Sequence, residues 1–135
     1  MKTSSVNETV QAGREFAAGL DENAAVLING QMGAGKTHFV KGIAQGLGIT
    51  DNVTSPTFAL VNTYSEILHH FDLFRINSQD DLYAIGFYDY IGKGIIVIEW
   101  AENIPALEQE FDEYSKVINV IINKIDDNTR EIIIS

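Results

Sequence analysis

The sequence contains no cysteine, which excludes a disulfide scaffold and any cysteine-ligated zinc site and agrees with a reducing compartment. Cations are scarce as well: 9 lysines and arginines stand against 19 acids, a formal net charge of −10, and they never gather into a block. Affinity for a phosphate backbone comes largely from clustered cations displacing counterions, so the expected partner is a protein rather than a directly bound nucleic acid. Long apolar runs are also missing. No stretch approaches the length that spans a bilayer, and the amino terminus, MKTSSVNETVQAG, lacks a signal-peptide core, so a soluble, cytoplasmic protein is expected. There are no internal repeats, low-complexity tracts or linkers. What is present is 135 residues, 45% of them apolar, enough for one domain with a real core and too few for a second.

Periodicity places the elements. Ser5 and Glu8 form a capping box ahead of Val10, Phe16, Ala17 and Leu20, whose spacing predicts a helix over about residues 6–20. AAVLIN (24–29) is apolar without alternation, as in a strand covered on both faces. A glycine-rich segment follows, and then Phe39, Val40, Ile43, Ala44 and Leu47 resume a helical period that Gly46 and Gly48 end. Residues 48–56 read as a loop closed by Ser55-Pro56, and TFALVNTYS (57–65) and EILHHFDLF (66–74) as two strands or a hairpin. SQDDLYAIGFYDYIGKG (78–94) mixes helical and turn character, IIVIEW (95–100) is a buried strand, and the end of the chain forms a β-hairpin turning at 126–129.

Between the first strand and the second helix, Gly30-Gln31-Met32-Gly33-Ala34-Gly35-Lys36-Thr37 matches G-x-x-x-x-G-K-[ST], the phosphate-binding loop. The glycines let successive backbone N–H groups converge on an anion, and the helix start adds its unpaired donors and positive dipole end. Lys36 is positioned to reach the β- and γ-phosphates and the Thr37 hydroxyl to ligate Mg²⁺; the plain alternative is a glycine-rich turn with an exposed lysine. Such a loop needs a carboxylate on a neighbouring strand to hold the metal. Glu99, closing IIVIE, has the pattern of a buried strand delivering one acid to the carboxyl edge of a sheet, against the alternative of a solvated strand end. Asp72 shares a strand face with His70 by period two, which a hydrogen-bonded surface dyad would also explain. NKID (123–126) spells the guanine-reading N-K-x-D of many GTPases and DYIG (89–92) their D-x-x-G. The nine residues after Asp126 cannot supply the remaining helix and base-contacting loop, so NKID reads as the approach to a hairpin turn.

Taken together, GQMGAGKT, VTSPTFALVNTY, HFDLFR, IGFYDYI and VIEWAE resemble, in order and rough spacing, the TsaE family, also called YjeE, over residues 4–134. The resemblance implies an α/β, P-loop NTPase-like domain whose mixed, mostly parallel sheet is flanked by helices and ends in a C-terminal β-hairpin. It implies ATP binding with Mg²⁺, slow hydrolysis, and the protein partners TsaB and TsaD, whose complex attaches threonylcarbamoyl to adenosine 37 of certain tRNAs. Carried onto this chain, it makes Met32, Gly33, Ala34, Gly35, Lys36, Thr37 and His38 the nucleotide loop and Thr37 with Glu99 the metal ligands. It puts Asp72 beside the metal or the attacking water, Ser55, Pro56, Thr57 and Phe58 in a switch segment, and Trp100 in an E-W pair that could equally be a core or rim aromatic. Thr9 and Arg130 fall near the nucleotide, and His70 and Arg75 near the site motifs. His38 stands where many members have threonine, Phe74 where tyrosine is common, and Thr129-Arg130 where Gly-Arg is frequent. The rival readings are a GTPase-like switch, a small-molecule kinase, and a nucleotide-gated binding module in which occupancy alone sets partner affinity.

Overall fold

Apolar residues without alternation need cover on both faces, and the segment Ala24–Gly30 obtains it at the centre of a seven-stranded sheet. The computed structural model describes residues 1–56 and 59–135. In chain order the elements are β1 (Lys2–Thr3), α1 (Val6–Ala17), β2 (Ala24–Gly30), α2 (Lys36–Gly46), β3 (Val61–Tyr64), β4 (Leu68–Asp72), α3 (Gln79–Ala84), β5 (Ile95–Glu99), β6 (Lys116–Lys124) and β7 (Arg130–Ile134). Short 3₁₀ turns occupy Phe87–Tyr90, Ala101–Asn103 and Leu107–Phe111. The sheet order is β1-β7-β6-β2-β5-β4-β3; β6, β2, β5 and β4 run parallel, while β1, β7 and β3 pair antiparallel at the two edges. This is the expected mixed, mostly parallel sheet flanked by helices with a C-terminal hairpin.

Period two divides the core. Val26 and Ile28 of β2 face α1 and α2 with Phe39, Ile43 and Val97, whereas Ala25 and Leu27 face α3 and the 3₁₀ turns with Phe71, Phe87, Ile98 and Phe111. Each large side chain wholly withdrawn from water adds about 1.5–3 kcal/mol, which is what holds both layers to the sheet. Helices α1 and α2 touch backbone to backbone: a Cβ on Gly42 would lie 1.9 Å from Val10 O, and one on Gly13 2.2 Å from Phe39 O.

Some boundaries differ from those the pattern suggests. Half of the capping box forms: Ser5 Oγ accepts the Glu8 N–H, while Glu8 Oε1 accepts the N–H of Ser4 rather than that of the N-cap Ser5, and α1 ends at Ala17 rather than about 20. There Gly19 and Leu20 donate to the carbonyls of Phe16 and Ala17, tightening the last turn. The strand expected from residue 57 starts at Val61, because Leu60 takes φ +69°; Thr57 and Phe58 lie outside the described residues. The strand expected over 66–74 shrinks to Leu68–Asp72, and the one expected to include Trp100 stops at Glu99. Among the described residues no helix is long and apolar enough to cross a membrane.

Candidate functional site

Parallel strands deliver their carboxyl ends to one edge of the sheet, and here those ends carry the glycine loop and two acids. Gly30 ends β2 and opens the glycine loop; Asp72 and Glu99 end β4 and β5 as direct register partners. The loop closes at Gly35, whose φ of +99° is left-handed and suits a residue without a side chain, and α2 begins at Lys36. A cleft of about 380 Å³ lies over this edge, lined by residues 32–38 together with Ser55, Asp72, Phe74, Glu99 and Trp100.

Within the cleft, Thr37 Oγ donates to the Glu99 carboxylate, 3.0 Å from Oε2 and 3.2 Å from Oε1. Lys36 Nζ donates to the carbonyls of Gly30 and Gln31, the latter at 3.0 Å, and sits 3.9 Å from the centre of the Trp100 ring. Burial lowers the Lys36 pKa from the ordinary lysine value, while the carboxylates of Glu99, Glu102 and Asp72 act the other way. Asp72 is 4% exposed; its Oδ2 accepts from Ser55 Oγ at 3.2 Å and its Oδ1 from the Phe74 N–H at 2.9 Å.

A smaller recess of about 80 Å³ lies on the other side of the loop and gathers Ser5, Thr9, Gly33, Gly35, His38 and Arg130. Thr9 is buried there and shares a 2.7 Å hydrogen bond with Thr3. Arg130 reaches the loop through its backbone: Nε donates to Ala34 O and an Nη to Gly33 O, while the other Nη donates to Asp126 O and Thr129 O. Its fork therefore clamps the hairpin turn to the glycine loop.

His70 and Asp72 share a face as expected, but the imidazole is not bonded to Asp72 as a dyad. Its Nε2 lies 2.5 Å from Glu99 Oε2, where the parallel pairing of β4 and β5 brings the two side chains together. Arg75 is exposed and is not among the residues lining the cleft. Ser55 lines the cleft, Pro56 is buried beside it, and Thr57 and Phe58, expected with them in a switch segment, lie outside the described residues. Two features escaped the sequence reading. Trp100 adopts a left-handed backbone, φ +59°, which tips its ring onto Lys36 and within 5.1 Å of Phe74. Tyr64, 4% exposed, bonds His70 Nδ1 at 3.1 Å, and no local pattern marks it as more than a core aromatic.

The guanine-reading spelling does not survive in three dimensions. Asp126 Oδ1 accepts the N–H groups of Asn128 and Thr129, which lowers its pKa and commits the carboxylate to the turn. Asp89 lies in a 3₁₀ turn rather than at a strand end.

The donor set fits a hard cation. Among the described residues no group of three or more His, Cys, Asp or Glu side chains could hold a metal alone. Mg²⁺ does not need one: it keeps several waters and takes one or two carboxylates plus phosphate oxygens, and the Thr37 hydroxyl against the Glu99 carboxylate would fit the protein share.

Comparison with known proteins bears on the family and the fold. Residues 3–132 match the family model described as threonylcarbamoyl adenosine biosynthesis protein TsaE. The chain is 37% identical over 134 residues to the tRNA threonylcarbamoyladenosine biosynthesis protein TsaE of Treponema pallidum, covering 97% of this chain and 96% of that one. To the protein of the same description from Bacillus subtilis it is 33% identical over 135 residues, covering 97% and 81%. A crystal structure of Bacillus subtilis YdiB matches with a TM-score of 0.71 at 30% identity, over 98% of this chain and 80% of that one. By sequence along nearly its whole length and by fold, the chain belongs to the TsaE family.

Proposed function

We propose that this chain binds ATP with Mg²⁺ and hydrolyses it, as an accessory protein of tRNA threonylcarbamoyladenosine biosynthesis that works with TsaB and TsaD and meets tRNA only indirectly. Family membership supports the nucleotide and the pathway. The observation that carries the reading is the placing of the Thr37 hydroxyl 3.0 Å from the Glu99 carboxylate at the mouth of the glycine loop. The net charge of −10 supports a protein partner over direct tRNA binding.

The loop amides and the start of α2 hold the phosphate tail, with Gly33 and Gly35 allowing the main chain to wrap it. Lys36 leaves the carbonyls of Gly30 and Gln31 to meet the β- and γ-phosphates. Thr37 and Glu99 would hold Mg²⁺, which when bound spreads the charge that develops on the phosphoryl oxygens. Asp72, fixed by Ser55 and its own turn, orients the attacking water as it takes the in-line position. No arginine lines the cleft among the described residues, and an arginine finger is worth about 10³–10⁵ in rate, so turnover is slow until a partner completes the site.

The test is ATP hydrolysis with and without purified TsaB and TsaD plus substrate tRNA. Stimulation is expected; a flat response removes the assigned pathway. Lys36→Ala abolishes nucleotide binding, and Glu99→Ala spares binding while removing Mg²⁺-dependent hydrolysis. Full hydrolysis by the Glu99 variant would mean that a different acid holds the metal.

A further inference from the structure

An imidazole at the heart of an apolar layer is costly unless its nitrogens are bonded, and an isoleucine would fill the same space without that demand. His70 is fully buried, between Asn62 of β3 and Val97 of β5 in the register. We propose that His70 is a positioning residue that aims the Glu99 carboxylate at the metal position, and that Tyr64 ties this aim to the Thr54-Ser55 backbone; the inference rests on the reading of Thr37 and Glu99 as the Mg²⁺ ligands.

The chain of contacts is continuous. Glu99 is an acceptor, so His70 Nε2 carries the proton in the 2.5 Å bond to Oε2. That same oxygen lies 3.0 Å from Thr37 Oγ, so the imidazole grips the carboxylate on the atom that the hydroxyl also uses. On the other side of the ring, Nδ1 lies 3.1 Å from the Tyr64 hydroxyl, whose single proton serves either Nδ1 or Thr54 O, 3.0 Å away. Asn62 Nδ2 braces this junction with bonds to Thr54 O and Tyr64 Oη. Thr54 is followed by Ser55, whose hydroxyl donates to Asp72. One line of contacts, buried at His70 and Tyr64 and exposed at Thr54 and Ser55, thus runs from the segment that holds one acid to the ring that holds the other.

A histidine serving only as core filler would need one acceptor and one donor for its two ring nitrogens, and any backbone carbonyl and hydroxyl would do. Here one partner is the acid at the cleft, a carboxylate that the Thr37 hydroxyl also holds and would release to a metal between them. Groups that orient metal ligands in this way typically change metal affinity or activity by about 10–100-fold when removed.

The test measures binding of a fluorescent, non-hydrolysable ATP analogue in EDTA and across a Mg²⁺ titration, alongside hydrolysis. His70→Leu keeps the wild-type affinity in EDTA, because His70 does not touch the glycine loop, but needs about ten- to a hundredfold more Mg²⁺ for half of the metal-dependent gain. His70→Gln, whose amide nitrogen can stand near the Nε2 position, restores most of the Mg²⁺ response; His70→Asn, one carbon too short to reach Glu99, does not. Tyr64→Phe shifts the Mg²⁺ midpoint by a few-fold in the same direction, about the effect of losing one hydrogen bond. An unchanged Mg²⁺ midpoint in His70→Leu, or a Gln variant no better than Leu and Asn, overturns the inference while leaving the ATPase reading intact. If Leu fails to fold, the Gln and Asn pair makes the same comparison. A wild-type protein whose analogue binding ignores Mg²⁺ overturns both.

Discussion

Replacing Gly42 by alanine sets two opposed effects against each other, and the geometry decides the sign. Alanine in a helix interior is favoured over glycine by about 1 kcal/mol. In α2, however, the new methyl would lie 1.9 Å from Val10 O and 2.9 Å from Arg14 N, both backbone atoms of α1 that no rotamer change can move aside. Relief requires the two helices to part by about 1 Å, which breaks close packing along their whole contact. Overpacking of this kind costs about 1–3 kcal/mol, and the rigid neighbours put it at the upper end, leaving a net loss of about 1–2 kcal/mol. For a chain of this size that lowers the melting temperature by roughly 4–8 °C. The displacement also bears on the site, because α1 carries Thr9, whose Cγ2 lies 3.7 Å from where a Cβ on Gly35 would stand. ATP affinity therefore falls with stability. Thermal melts of Gly42→Ala beside Gly19→Ala make the comparison, since a Cβ at Gly19 meets Phe16 O at an ordinary 3.7 Å and that variant melts like the wild type. A Gly42→Ala protein that melts at or above the wild-type temperature would refute the backbone contact as the organising feature of the α1–α2 interface.

Arg130→Lys should behave like Arg130→Ala, each losing stability and nucleotide affinity, because four carbonyls from two segments require the guanidinium fork rather than a point charge; wild-type melting and affinity in the lysine variant would show that charge alone suffices. Lys36 gives a pH signature with opposite signs in stability and in binding. The unfolded chain holds the lysine proton to higher pH than the folded one, so between the lowered folded value and the ordinary lysine value this group makes stability rise with pH. Phosphate raises the same pKa, so ATP binding in that alkaline window takes up a proton and weakens as pH rises, measurable by calorimetry in buffers of different ionisation enthalpy. Lys36→Met abolishes the stability trend, and a wild-type affinity flat with pH in that window would contradict the shift.

The elements legible in the sequence are those set by local chemistry: the covered strand β2, the glycine loop with its N-terminal lysine on α2, Glu99 at the end of β5, and the hairpin of β6 and β7. Each follows from a run of neighbours with one period or one turn. The features that escaped depend on partners distant in the chain. Nothing around Trp100 announces a left-handed residue; its ring meets Lys36 and Phe74, both distant in the chain. Gly13 and Gly42 look like helix weaknesses until the two helices meet on them. Period two correctly put His70 beside Asp72, but the imidazole's partner comes from the neighbouring strand, and pairing between strands is not written in either one alone.

The bonding within the cleft bears on why the ligand should be a metal-bound triphosphate rather than a bare anion. Lys36, Thr37, Glu99 and Asp72 are all bonded to protein atoms, and no buried side-chain nitrogen or oxygen among the described residues lacks a partner. Taking an anion is therefore an exchange of hydrogen bonds, and exchanges of this sort contribute only about 1 kcal/mol each. A bare phosphate chain that draws Lys36 away from the edge of the sheet would leave Glu99 and Asp72, each under 5% exposed, facing another negative charge in a medium that screens poorly. A divalent cation arriving with the phosphates removes that repulsion and replaces the Thr37 bond that Glu99 gives up. On the proposed reading the two buried acids would thus have a shared electrostatic role besides their separate ones: their charge would make nucleotide binding and metal binding depend on each other.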